Sequence, residues 1–224
     1  MTQCENGEEL WGEVKKLLGD HRLQMGSHWS YNFRNDPKRL AFVLSRYKFS
    51  AKMSCKNAKI LEMGCSEGIG ATILGEQAIS YTGVDLDDSA INTAKKNFLN
   101  TDKYSFIYDD FLGKSYGEFD AIVSLDVIEH IHKEYESHFF STIMKNLSKD
   151  GVVIIGTPNI SSERYASEAS LLGHVNLYSQ ARLVSEMQKY FHQVFPFGMN
   201  DEIVHVGFAE MCHYLICVGC CRKN

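Results

Sequence analysis

The chain has 224 residues, 44% of them hydrophobic and 23% charged, enough to bury a core that needs neither disulfides nor metal for stability. Its net charge is −5 and its basic runs are no longer than pairs, Lys15-Lys16 and Lys95-Lys96 among them, which marks no nucleic-acid footprint and favours a small-molecule partner. No apolar run approaches the roughly 20 residues of a membrane helix, and Met1-Thr2-Gln3-Cys4-Glu5 lacks the basic and apolar regions of a signal peptide, so a cytoplasmic protein without membrane contact is expected.

Residues 8–18 carry helical spacing, and Asp36-Pro37 opens a second helix with proline in its first turn. Leu40, Val43, Leu44 and Tyr47 form one face of that helix, which runs to about Met53. Then short apolar runs alternate with helical stretches. Strands are expected at Lys59–Met63, Ile79–Val84, Tyr104–Tyr108, Phe119–Leu125 and Gly151–Thr157. Helices are expected between them at Gly68–Gln77, Asp88–Leu99 and Lys133–Leu147. A helix over Ser179–Tyr190 and strands near 192–198 and 211–218 follow. Residues 198–205 between those strands read as a loop too long and too mixed for a simple hairpin turn. This order predicts an α/β fold: a Rossmann-like, doubly wound, mostly parallel seven-stranded sheet with helices on both faces and an N-terminal helical segment. Three prolines and no internal repeat mark no boundary, so 1–224 reads as one domain. Within it, 1–55 is the helical segment, 56–157 the core, and 158–224 the substrate lid and C-terminal strands. Cys217, Cys220 and Cys221 resemble a CxxC element, but their setting in an apolar strand and the odd total of seven cysteines favour buried, reduced thiols.

The chemistry concentrates at the ends of the strands. Ile60-Leu61-Glu62-Met63-Gly64-Cys65-Ser66-Glu67-Gly68 is a strand, a glycine turn and a helix start, the arrangement that brings backbone close to a ligand at the edge of a parallel sheet. Gly64 permits that approach, and Gly68 lets the helix begin tight against the sheet. Glu67 stands where a phosphate would require bare amides, so the turn suits a ligand with a cationic amino group and no phosphate. Glu62 helps to hold that group through water or the turn backbone. Asp85 ends the next strand, 23 positions after Glu62, where an acid accepts hydrogen bonds from ribose hydroxyls; Leu86 beside it is included in the cofactor set. After the third strand come Asp109, Asp110 and Phe111. One of the two acids accepts from an adenine amine with Phe111 beside the ring, or else they are a helix cap and a core residue.

These residues, with Ser124-Leu125-Asp126-Val127-Ile128-Glu129-His130, resemble the motifs of class I S-adenosylmethionine (SAM)-dependent methyltransferases. Within them the chain is similar to the ubiquinone-biosynthesis O-methyltransferase type and its bacterial small-molecule relatives, over residues 36–195. The resemblance implies SAM as cofactor, S-adenosylhomocysteine as product, and SAM contacts from Glu62, Gly64, Cys65, Gly68 and Asp85. It implies Leu125 or Asp126 behind the methionine portion. An arginine for the methionine carboxylate is implied at Arg39, in Asp36-Pro37-Lys38-Arg39, with Arg46 its competitor two turns on. Cys65-Ser66-Glu67 departs from relatives that have a second glycine there, which narrows the loop.

Asp126, Glu129 and His130 fall at spacings that share one helix face. Similar Glu-x-x-Glu-His clusters bind a divalent metal in small-RNA 2′-O-methyltransferases and have a metal role in some quinone relatives, and His174 is the candidate fourth ligand. Many relatives carry a near-identical sequence without metal, and the expectation here is a polar cluster with no metal. Past Gly156-Thr157-Pro158-Asn159, the stretch through Tyr165 to His174 interrupts the crossover where this fold builds its lid. The expected activity is methyl transfer to an oxygen of a small polar acceptor such as a sugar, a nucleotide-linked sugar or a related metabolite. His130, His174 and Asp126 are the catalytic candidates, the histidines as acceptors of the hydroxyl proton. The alternatives are a metal-dependent RNA 2′-O-methyltransferase and a SAM-binding protein without turnover. A homodimer stays open.

Overall fold

The structure, a computed structural model, describes residues 3–20, 22–99 and 101–223. Three helices lead: α1 (Gln3–Leu18), α2 (Ser27–Asn35) and α3 (Pro37–Met53). The α/β part follows as β1 (Lys59–Met63), α4 (Ala71–Leu74), β2 (Ser80–Asp85), α5 (Asp88–Asn97), β3 (Tyr104–Tyr108) and β4 (Phe119–Leu125). After it come α6 (Glu136–Asn146), β5 (Leu147–Pro158), α7 (Glu168–Gly173), α8 (Gln180–Met187), β6 (Phe191–Asn200), β7 (Ile203–His205) and β8 (Tyr214–Arg222). Short 3-10 turns at Ile128–His130, Lys133–Tyr135 and Ile160–Tyr165 fill the connections.

The strands form one sheet in the order β3-β2-β1-β4-β5-β8-β6-β7. β1 to β5 pair in parallel, while β8 runs antiparallel between β5 and β6. Burial on both faces makes the central strands continuous apolar runs. Along β1, Ile60 belongs to the core on one face of the sheet, and Leu61 and Met63 to the core on the other. Strand order reverses between β1 and β4, so a crevice opens past their C-terminal ends, the place where open α/β sheets bind ligands. Local signals agree with the elements they start. Asp87 caps α5 by accepting from the Ser89 and Ala90 amides, and Lys95 and Lys96 sit in its last turn, at the negative end of the helix dipole.

The α/β architecture expected from the sequence is present with one strand more, eight rather than seven. The extra strand lies in the stretch expected to be a long loop. β6 runs to Asn200, Asp201 turns with φ +50°, and β7 pairs back on β6 from Ile203 to His205. The turn takes an aspartate in the left-handed region, where glycine or asparagine is the usual signal. The helix expected over Gly68–Gln77 is only the single turn of α4. Helix α2 had no apolar period to announce it, since it buries only Trp29 and Asn32. Amphipathic α1 leaves Leu10, Trp11, Val14, Leu17 and Leu18 exposed. Cys65, Cys212 and Cys217 are buried, as expected for core thiols, but Cys220 is half-buried and Cys221 exposed; all are free. Among the described residues no helix is long and apolar enough to cross a membrane.

Candidate active site

A cleft of about 450 Å³ opens at the β1/β4 switch point, walled by Gly64, Ser66, Asp85, Asp110, Val127 and His28. Gly64 has φ +82°, and a Cβ there would lie 2.2 Å from Val127 Cγ2, so only glycine lets the turn pass this close to the β4 end. The Gly64 and Cys65 amides donate to the Val84 carbonyl at 2.8 and 3.2 Å, fastening the turn to β2. Asp85 locks it from the side: its carboxylate accepts from the Ser66 amide at 2.7 Å and the Asp87 amide at 2.9 Å. Beneath the turn, Glu62 is fully buried and accepts from the hydroxyls of Tyr47, at 2.7 Å, and Tyr81. Burial lifts its carboxyl to about 7, although both phenol bonds pull the other way.

A second cleft of about 420 Å³ adjoins the first and shares Asp126 with it. Arg39, Phe42, Arg46, Tyr165, His174 and His213 are in its walls. Asp126 sits at φ +57° just past β4, and Arg46 Nη1 donates to both its oxygens, at 3.0 and 2.7 Å. The Arg46 guanidinium also lies 3.6 Å from the Tyr214 ring centroid, a cation–π contact. Next to this pair, buried Glu129 accepts from Thr157 Oγ1 at 3.0 Å through Oε2, while its buried Oε1 has no hydrogen-bond partner. Burial and then the nearby Asp126 charge push the Glu129 carboxyl well above the ordinary range. The Glu129 carbonyl accepts from the amides of Val175 and Asn176, at 2.9 and 3.0 Å, tying the lid to the β4 end.

His130 Nδ1 lies 2.8 Å from the Gly173 carbonyl. A carbonyl only accepts, so Nδ1 carries the proton and Nε2 is bare when the ring is neutral. The His174 ring packs edge-on at 5.1 Å from the His130 ring. Burial, and then His130, hold His174 below the usual imidazole pKa. The site therefore has a nucleoside-sized cleft with acidic groups at two strand ends, a polar cleft beside it, and an imidazole pair at their junction.

Residues 28–190 match the family described as a methyltransferase domain. The chain belongs to that family. It is a class I methyltransferase with SAM as its cofactor. The ubiquinone biosynthesis O-methyltransferase of Rickettsia bellii is 28% identical over 141 residues, 59% of this chain and 55% of that one. The phosphoethanolamine N-methyltransferase of Plasmodium falciparum is 30% identical over 103 residues, 45% of this chain and 39% of that one. The chain thus spans about half the length, or less, of these curated relatives. The N-methyltransferase NodS of Bradyrhizobium japonicum, solved with S-adenosylhomocysteine, superposes with a TM-score of 0.63 at 16% identity. It covers 87% of this chain and 91% of that one, and at this identity the likeness concerns the fold.

Within this methyltransferase, Gly64, Asp85, Leu86, Asp110, Phe111 and Asp126 line the first cleft together. Other expected cofactor residues do not. Glu62 is sealed below the turn by its two tyrosines. Cys65 is buried against Gly83, its amide already spent on Val84, so it supports the turn from the core. Gly68 has φ +76° and faces Ala94 and Phe106, and Leu125 is buried in the core. Asp109 turns away to the Lys114 ammonium and to the Tyr116 hydroxyl at 2.9 Å, leaving Asp110 as the acid of that pair in the cleft wall. Arg39 lines the second cleft, as does Arg46, whose charge is taken up by Asp126. His28, Ser66 and Val127 line the first cleft and were not singled out from the sequence. Ser66 holds φ +48°, in the left-handed region that usually calls for glycine.

The cofactor's chemistry fits these walls, since acids at the β2 and β3 ends suit hydroxyl and amine donors and repel phosphate. A divalent cation also has candidate donors: ligand atoms of Glu129, His130 and His174 lie within 4.8 Å of one another. That is a carboxylate and two imidazoles, a set suited to a transition metal or zinc. Asp126, held by Arg46, is outside this group.

Proposed function

We propose that the chain methylates an oxygen of a small polar acceptor held in the second cleft, as a single-domain cytoplasmic enzyme. The observation that carries this reading is the meeting of two clefts at Asp126, with His174 in the acceptor wall beside His130. When bound, SAM supplies an electrophilic methyl group with a good leaving group. What remains for the chain is positioning and proton removal. Gly64, Asp85 and Asp110 hold the nucleoside side, and Arg39, in the wall of the second cleft, serves the methionine carboxylate. His174 accepts the hydroxyl proton; its lowered pKa keeps it neutral and ready at physiological pH. His130, fixed by the Gly173 carbonyl, orients the acceptor, and the Arg46–Asp126 pair shapes the junction. The named role of the Rickettsia bellii relative, an O-methyltransferase, supports oxygen as the acceptor atom.

A specific observation favours a second reading of the cluster, contrary to the metal-free expectation. Glu129 Oε1 is buried without a partner, and ligand atoms of Glu129, His130 and His174 gather within 4.8 Å of one another, as they would around a divalent cation. Such an ion would supply charge that makes a nearby hydroxyl more acidic. Isotope-labelled SAM offered with small-metabolite and RNA fractions, with and without chelator, tests both readings. Label in a small molecule that survives chelation supports the base mechanism. Loss with chelator and recovery with a divalent ion supports the metal. Label in RNA alone, or SAM binding without turnover, overturns the proposal.

A further inference from the structure

Glu67 lies inside the glycine turn, yet it does not line the first cleft. It is 5% exposed, and its carboxylate accepts hydrogen bonds from the amides of Gly26 at 2.9 Å and His28 at 3.1 Å. These amides belong to the first turn of α2, whose N-cap residue is Gly26 and so has no capping side chain of its own. Glu67 therefore caps α2 from some 40 positions away and places a negative charge at the positive end of its dipole. Gly26 is fitted to this contact, since a Cβ there would stand 2.3 Å from Glu67 Oε1. A second tie secures the segment ahead of α2: Asn97 Oδ1 accepts from the Gln24 amide at 2.8 Å, and Asn97 Nδ2 donates to the Gln24 carbonyl at 2.9 Å. Held in this way, α2 buries Trp29 and Asn32 and presents His28 to the cofactor cleft, whose walls also include Gly64 and Asp85.

We propose that Glu67 is a positioning residue that latches α2 over the cofactor cleft, so that SAM enters and leaves only when these two bonds open. The inference rests on the reading of the first cleft as the SAM site. One short turn then does two jobs. Its Gly64–Ser66 side borders the cofactor, and its Glu67 side grips the helix that closes over it. Movement of the turn on loading is passed directly to α2.

The chain's two tryptophans are Trp11 and Trp29, and Trp29 is 6% exposed, so W11F leaves one fluorophore on the latched helix. In that background E67A should red-shift Trp29 emission, increase its quenching by acrylamide, and raise the SAM dissociation rate about 10- to 100-fold, the scale of losing hydrogen bonds to a charged group. The KM for SAM should rise far more than kcat changes, and saturating SAM should restore Trp29 protection. E67Q keeps one acceptor without the charge and should fall between wild type and E67A. G26A strikes the same contact from the α2 side and should reproduce E67A; it decides the matter if E67A does not fold. Folded E67A or G26A with wild-type SAM dissociation overturns the latch, whether or not Trp29 emission moves. D85A separates the two readings. If D85A weakens SAM binding while E67A and G26A leave it unchanged, the latch alone is wrong. If D85A is also without effect, the cofactor site itself is misplaced.

Discussion

Replacing Arg46 with methionine tests whether the charge pair at the cleft junction is structural. The guanidinium touches both Asp126 oxygens, with side-chain exposures of 13% for Arg46 and 31% for Asp126. Two unit charges about 4 Å apart attract by about 4 kcal/mol at an effective dielectric of 20. Solvent reaching Asp126 and the desolvation of Arg46 reduce that, leaving a net loss of about 2 kcal/mol when the arginine is removed. The contact with Tyr214 adds about 0.5–1 kcal/mol, of which a methionine side chain keeps part. In a chain of this size each kcal/mol moves Tm by about 2–4 °C, so R46M should melt about 5–10 °C lower. D126N is the informative partner, because asparagine accepts the φ of +57° at this position. Calorimetry on R46M, D126N and the double variant should give a coupling energy of at least about 1 kcal/mol, the double variant losing less than the sum of the singles. Strictly additive losses, or an R46M protein as stable as wild type, would refute the pair as a structural element.

D85A should weaken SAM binding by about 1.5–3 kcal/mol, measured by titration calorimetry, because it deletes an acceptor that also fastens the Ser66 amide. H174Q should lower kcat by about 10²- to 10⁴-fold with SAM affinity intact. In the wild type the acid limb of the rate should lie below pH 6.5, since burial holds His174 down, and H174Q should lose that limb. H130Q, compared separately with H174Q, should show the smaller fall in kcat; near-normal turnover in both would leave the proton to another group. Glu62 has a folded-state pKa raised to about 7 from 4.5, so the folded chain keeps that proton longer than the unfolded one. Its contribution makes stability fall by up to about 3 kcal/mol as pH rises from 4.5 to 7, and level off above. E62Q should flatten that slope in urea melts, and an unchanged slope would show that Glu62 is not its source.

The parts that were legible in the sequence are those written locally. β1, β4 and the Val153–Thr157 part of β5 are buried, mostly apolar runs, and Gly64 and Asp85 stand at the strand ends that the sheet order turns into a cleft. Elements without a local pattern escaped. α2 buries only a tryptophan and an asparagine, and the β6–β7 hairpin turns on Asp201, where glycine would have signalled it. Contacts across long sequence distances were hidden for the same reason. Nothing near Arg46 names Asp126, 80 positions away, and nothing near Glu67 names Gly26. Asp109 and Asp110 look equivalent in sequence; Lys114 and Tyr116 on the following turn separate them.

The position of β8 also constrains how the chain reaches its fold. It is made after β6 and β7, yet it lies between β5 and β6, pairing Val153–Pro158 on one side and Phe191–Met199 on the other. The β6–β7 hairpin therefore has no seat on the sheet until residues 214–222 are available. During synthesis the parallel half, with its cofactor turn, can assemble first, while a hairpin with open edges waits. A slow or weakened β8 would leave those edges exposed to other chains, so aggregation during production should respond more to changes in Tyr214–Arg222 than to changes in the parallel strands.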